Sequence, residues 1–164
     1  SPASLAELSA NYEPRLSAEP VDLGGGFLFL GEIPRRNDVE AKEPIGEVDG
    51  PDGAAPDYLL DDSAVAWRDE EGLVVISGCS HAGIVNTVER AVELTGETRV
   101  VDVVGGFHLL GASRARLDFT AERLAALGPR AVHPCHCTDL AAQLRLAASL
   151  PVVELGVSRV LDYR

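Results

Sequence analysis

The sequence predicts a mixed α/β fold, α+β in schemes that separate the two, and three observations carry the prediction. From Tyr58 onward, apolar runs of strand length alternate with segments of helical period. Glycines stand at the junctions between them, and the first two clear strands flank a short acidic turn, which argues against a simple doubly wound sheet. The 164 residues are 46% hydrophobic and 24% charged, enough for one domain-sized core, and with only 5% aromatics the packing falls to Leu, Val and Ala.

In chain order, residues 1–22 read as loop or linker, because Ser1 to Pro20 mixes small, acidic and proline residues. Gly24 to Leu30 is a glycine-led apolar run sized for one buried strand, and Asn37 to Asp57 returns to a loop-like mixture of Gly, Pro and acids. Leu59 through Trp67 and Leu73 to Ile76 bracket Asp69-Glu70-Glu71-Gly72 as antiparallel strands. Ile84, Val85, Val88, Ala91 and Val92 recur at helical spacing. Val100 to Val104 is a strand, a helix lies around Phe119 to Leu127 and closes on Gly128-Pro129, and Ala131 to His133 is a short strand. A last helix runs from Leu140 to Leu150 with Thr138 or Asp139 as its N-cap, followed by strand-like Val152 to Leu155 and Arg159 to Leu161.

Charge and composition exclude several classes of partner. A net charge of −12 repels polyphosphate backbones, and Lys and Arg form no basic stripe, so no nucleic acid is expected. No apolar run approaches the ~20 residues that span a bilayer, and Ser1-Pro2-Ala3-Ser4 lacks the regions of a signal peptide, so a cytoplasmic protein without membrane attachment is expected. Two of the three cysteines, Cys135 and Cys137, flank His136, a spacing that suits free thiols or metal ligands better than a disulfide framework.

Three motifs fall at strand ends. In Gly78-Cys79-Ser80-His81-Ala82-Gly83 the following helix directs its positive end at the loop, a field that favours a thiolate at Cys79. Pro134-Cys135-His136-Cys137-Thr138 offers an imidazole and thiols suited to zinc or iron, with His136 preferred as the ligand of a site that keeps an open position. Gly105-Gly106-Phe107-His108-Leu109 supplies His108 as an acid, a base or a substrate contact. Each motif alone is matched by an ordinary alternative: a buried thiol, small packed residues, a hydrogen-bonded structural histidine. Their common place at the carboxyl ends of consecutive strands, where α/β folds form their ligand crevice, joins them into one site. His133, within a strand, reads as structural, and Asp61-Asp62 and Glu32 with Arg35-Arg36 read by themselves as solvated turns.

These motifs, together with Gly31-Glu32-Ile33-Pro34-Arg35 and Pro56-Asp57, stand in the order found in metallo-β-lactamase-fold hydrolases. The sequence most resembles the group named after ribofuranosylaminobenzene 5'-phosphate synthase, over nearly the whole chain from about Leu23. The resemblance implies the C-terminal part of an αββα sandwich holding one or two metals at the edge of two facing sheets. It implies Cys79, His81 and His136 as metal ligands, His108 as a catalytic group, and Arg35, Asp62 and His108 as substrate contacts. The implied metal is zinc, with manganese and iron as alternatives. One departure stands out: the superfamily's His-x-His-x-Asp-His motif is absent, since His81, His108, His133 and His136 are the only histidines.

The expected function is hydrolysis of a phosphoester, a lactone or a related small, anionic substrate by metal-activated water, incomplete without the missing motif. The alternatives are a phosphoribosyl-transferring synthase and a non-catalytic metal-binding or interaction module. The expected partner is a complementing N-terminal half or a second copy, because a sheet without its facing sheet leaves residues such as Val74 and Ile76 to be exposed or covered in another way.

Overall fold

A computed structural model describes residues 5–50 and 53–163, so Ser1 to Ser4 lie outside the described residues. The elements are α1 (Leu5–Ser9), β1 (Val21–Gly24), β2 (Phe27–Phe29), β3 (Gly46–Gly50), β4 (Gly53–Asp57), β5 (Ala64–Arg68), β6 (Leu73–Ser77), α2 (Ile84–Thr95), β7 (Val100–Gly106), α3 (Arg114–Leu127), β8 (Ala131–Cys135) and α4 (Leu140–Ala147). Six strands form one sheet in the order β1-β2-β5-β6-β7-β8, and β3 and β4 form a separate hairpin. The predicted antiparallel pair is β5 and β6, joined in register from Arg68↔Leu73 to Ala64↔Ser77. Beyond β6 the sheet turns parallel, because α2 and α3 carry the chain back to start β7 and β8 in the same direction.

Several expectations change in detail, each for a local reason. Gly24 to Leu30 is not one strand: Gly24, Gly25 and Gly26 all have positive φ (82°, 61° and 84°), and they fold β1 back on β2. Residues 1–22 include the short helix α1 and the start of β1. The stretch from Asn37 to Asp57 contains the β3–β4 hairpin. Helix α3 begins at Arg114 instead of near Phe119, since the Ser113 side chain caps it by accepting from Arg116 N at 3.3 Å. Asp139, one of the two proposed caps, starts α4 by accepting from Ala142 N at 2.8 Å. After Pro151 only an isolated bridge from Val152 to Val132 forms, so Val152 to Leu155 and Arg159 to Leu161 are not strands.

The two faces of the sheet differ. The row Leu28–Ala66–Val75–Val103–Val132 points to the helices, where Val75, Val103 and Val132 join Ile84 and Val88 of α2, Leu124 of α3 and Leu146 of α4 in one buried cluster. The opposite face carries the rows Phe27–Trp67–Val74–Asp102–Ala131 and Phe29–Val65–Ile76–Val104–His133. Here Phe27 is 41% and Ile76 42% exposed, so this face is partly open among the described residues. Val74, in contrast, is buried. The chain terminus returns over its row: the Tyr163 ring meets Trp67 edge-on at 5.8 Å, and its hydroxyl donates to Asp102 Oδ2 at 2.8 Å. Asp102 Oδ1 pairs with His133 Nδ1 at 2.8 Å, both side chains buried, so His133 has the structural place expected of it.

Candidate functional site

The loops that leave β6, β7 and β8 emerge side by side, because those three strands are parallel neighbours. Each loop holds one non-glycine residue in the left-handed region: Ser80 (φ 53°), His108 (φ 51°) and His136 (φ 51°). Such residues persist only where the surroundings hold them, and they cluster at functional sites. The surroundings here are a net of backbone contacts. Gly106 N donates to Gly78 O at 2.9 Å, and Leu109 N and Leu110 N donate to Cys137 O at 2.9 and 3.0 Å. Ser80 Oγ donates to Gly106 O at 2.7 Å and lies 2.6 Å from Ser77 Oγ. Phe107 N donates to Thr138 Oγ1 at 3.1 Å, and Gly111 N to Asp139 Oδ2 at 2.9 Å. Asp139 thus caps α4 and ties down the β7 loop at once, and those backbone donors hold its carboxyl below the ordinary range.

Glycine is required where the loops close on each other. A Cβ on Gly106 would stand 2.5 Å from Gly78 O and 2.7 Å from Cys137 Sγ. That proximity sets the Cys137 thiol against both neighbouring loops: its Sγ donates to the Cys79 carbonyl O at 3.5 Å and accepts from His108 N at 3.2 Å. Burial and then the neighbouring Cys137 push the Cys79 thiol up, with Asp62 and Cys135 adding to the shift. Desolvation and nearby negative charge thus oppose the thiolate that the helix field alone would favour. Alkylation of Cys79 by iodoacetamide should be slower than that of a free cysteine at pH 8, as peptide mapping would show.

The imidazoles of His81 and His108 pack with ring centroids 4.3 Å apart, tilted by 53°. The Nδ1 atoms of both are buried without a hydrogen-bond partner. Burial, then the adjacent His81 and Arg116, hold the His108 pKa below the ordinary histidine value. Its ring should therefore titrate below the midpoint of a free histidine in an NMR pH series.

The other candidates have different surroundings. Asp62 Oδ2 accepts from Ala82 N at 2.8 Å, which fixes the β6 loop and places this carboxylate beside Cys79 and His108. Arg35 instead donates from Nη2 to the carbonyls of Tyr58 and Leu59 at 2.6 and 2.9 Å, so its guanidinium braces a turn. Arg36 pairs with Glu93. His136 is exposed. Among the described residues no group of three or more His, Cys, Asp or Glu side chains converges to hold a metal ion. Cys79, His81 and His136 lie on adjoining loops, and among the described residues they do not close into a group of three ligands.

Three residues have parts that the sequence reading did not give them. Cys137 is the sulfur at the junction of the loops; its Cys-x-Cys spacing was visible, its orientation was not. Arg116, on the first turn of α3, acts on His108. Glu40, nearly fully buried, accepts from Val85 N at 3.0 Å and Asn86 N at 3.1 Å and anchors the start of α2. No local pattern marks either of the last two.

Comparison with known proteins adds ancestry to this geometry. No family model matches the chain. A solved structure described as a metal-dependent hydrolase of the β-lactamase superfamily superposes with a TM-score of 0.86 and 30% identity, over 98% of this chain and 62% of that one. The chain is a member of the metallo-β-lactamase-fold superfamily. Within the superfamily its sequence is 36% identical over 131 residues to a 7,8-dihydropterin-6-methyl-4-(β-D-ribofuranosyl)-aminobenzene-5'-phosphate synthase of Methanocaldococcus jannaschii, covering 78% of this chain and 45% of that relative. An uncharacterized protein of the same organism is 30% identical over 129 residues, 79% of this chain and 46% of its own length. The chain thus spans about half the length of the curated relatives it matches. Among the described residues no helix is long and apolar enough to cross a membrane.

Proposed function

We propose that this chain supplies the C-terminal side of a metal-dependent hydrolase acting on a small anionic phosphoester, lactone or related substrate in the cytoplasm. One observation carries the reading: three neighbouring loops, each with a left-handed non-glycine residue, gather thiols and imidazoles at the carboxyl ends of parallel strands. The fold shared with a structure described as a metal-dependent hydrolase supports it. Zinc suits the mixture of sulfur and nitrogen donors best, with manganese or iron as alternatives. Among the described residues no ligand group closes by itself, so a cation would need further ligands beside those this chain offers. Cys79, His81 and His136 would complete a ligand set, Asp62 orients the β6 loop, and His108, with an unpartnered Nδ1, can exchange a proton with substrate. A second reading, transfer from a phosphoribosyl donor, is favoured by the 36% identical synthase.

The isolated chain should be inactive toward a phosphodiester, a phosphomonoester and a lactone with zinc, manganese or iron(II). Mixing it with the first half of an intact relative should restore metal-dependent turnover. Turnover by the purified chain alone, abolished in His136→Ala, would overturn the need for further ligands. The same reading expects the apolar face bearing Phe27 and Ile76 to seek cover by that half or by a second copy. Sedimentation at increasing concentration should show self-association that the added half suppresses; a monodisperse monomer throughout would argue against it.

A further inference from the structure

Among the described residues, seven buried side-chain polar atoms lack a hydrogen-bond partner, and four of them are His81 Nδ1, His108 Nδ1, Arg116 Nε and Arg116 Nη2. A desolvated donor without an acceptor is costly, and native proteins rarely leave one without a reason. A cation bound by the imidazoles would answer for the histidines. It would not answer for Arg116, whose guanidinium has five donors and no lone pair to give a metal. Glu40, the carboxylate on which the Arg116 charge also acts, is already engaged: Oε1 accepts from Val85 N, and Oε2 from Asn86 N and Asn37 Nδ2. A ligand rich in acceptors would satisfy the Arg116 donors.

We propose that Arg116, with His108 beside it, forms an oxyanion subsite at the start of α3 that receives a phosphate or carboxylate group of the substrate. Guanidinium nitrogens match such groups in two-point geometry, and a buried donor pair binds them more strongly than a solvated one. The place fits the role: Arg116 lies on the first turn of α3, the helix that follows the His108 loop, and two of its donors are buried without a partner, while Arg35, the arginine first expected to contact substrate, is occupied by two carbonyls. The subsite rests on the hydrolase reading only in calling its ligand a substrate group, since binding is measured without metal or turnover.

The test is calorimetric titration of the EDTA-treated chain with inorganic phosphate, and in a parallel arm with acetate, at constant ionic strength in chloride. Saturable binding of one of the two is expected, with the preferred anion identifying the substrate group, and the His108 ring resonances should shift on its addition. Arg116→Met should weaken binding at least about tenfold. It should leave the melting temperature unchanged or higher, because it removes two buried donors that lack an acceptor. Arg116→Lys should bind with intermediate affinity, keeping the charge and losing the fork. Equal affinity in Arg116→Met, or no saturable binding of either anion by the unsubstituted chain, would overturn the subsite. A marked loss of stability in both variants would assign Arg116 to the fold and overturn it as well. Binding without metal-dependent hydrolysis would leave the subsite standing and remove the hydrolase.

Discussion

Gly105→Ala should lower the unfolding free energy by at least about 4 kcal/mol, in the range reserved for substitutions with a specific steric cause. Gly105 has φ 133°, a region L-residues rarely adopt, and its added Cβ would lie 2.0 Å from Ser77 O. That oxygen belongs to the backbone of β6, so no side-chain rotation relieves the clash; the strands must part at the pair Ser77↔Gly105. The site would open with them, since Gly106 N and Ser80 Oγ tie the same two loops one residue further on. Urea unfolding followed by the fluorescence of Trp67, the single tryptophan, measures the loss. Gly111→Ala is the control. Gly111 also has positive φ, at 64°, but its Cβ would meet no atom within 4 Å, so only conformational strain of about 1 kcal/mol applies. Equal losses in the two variants would mean that backbone strain alone governs these positions and that the close approach of β6 and β7 contributes nothing.

How much of this was legible in the sequence depends on whether burial or long-range contact sets each feature. From Tyr58 onward, period and punctuation agree: Leu73 to Val75 and most of Val100 to Val104 are apolar and buried, and Gly96 and Gly128 close their helices in the left-handed conformation. The β3–β4 hairpin left no such trace. Its residues are nearly all exposed, and hydrophobic alternation reports burial, not hydrogen bonding. The first turn of α3 was hidden likewise, because Arg114, Arg116 and Asp118 break the apolar period there. For the site, the glycine-bearing strand ends were readable as chemistry held at a rigid edge. The orientation of Cys137 toward Cys79, 58 residues away, and the contact of Glu40 with Asn86, 46 residues away, follow only from the packed fold.

Glu40 gives the second large effect, and its pH dependence tests the cause. Glu40→Ala should destabilise the chain by about 2–4 kcal/mol, because Val85 N and Asn86 N at the start of α2 lose their buried acceptor and a side-chain-sized gap opens against Gly83. Glu40→Gln keeps the volume and loses the charge. Burial raises the Glu40 carboxyl above its ordinary value despite the two backbone donors and Asn37. A carboxyl raised by folding binds its proton more tightly in the folded chain, so its contribution is fully present below the unfolded pKa and is lost as pH rises through the folded one. Other carboxyls act in the opposite sense: Asp118, lowered by Arg145, and Asp139, lowered by Gly111 N, lose their contribution as pH falls. The unsubstituted chain can therefore weaken in acid even while Glu40 strengthens it. Subtracting the Glu40→Gln stability curve removes these shared contributions. The difference should move in favour of the unsubstituted chain as pH falls through the raised folded value, then level off below the ordinary glutamate range. A difference that moves the other way would show that the N–H donors of α2 outweigh desolvation and that Glu40 acts as a charged cap.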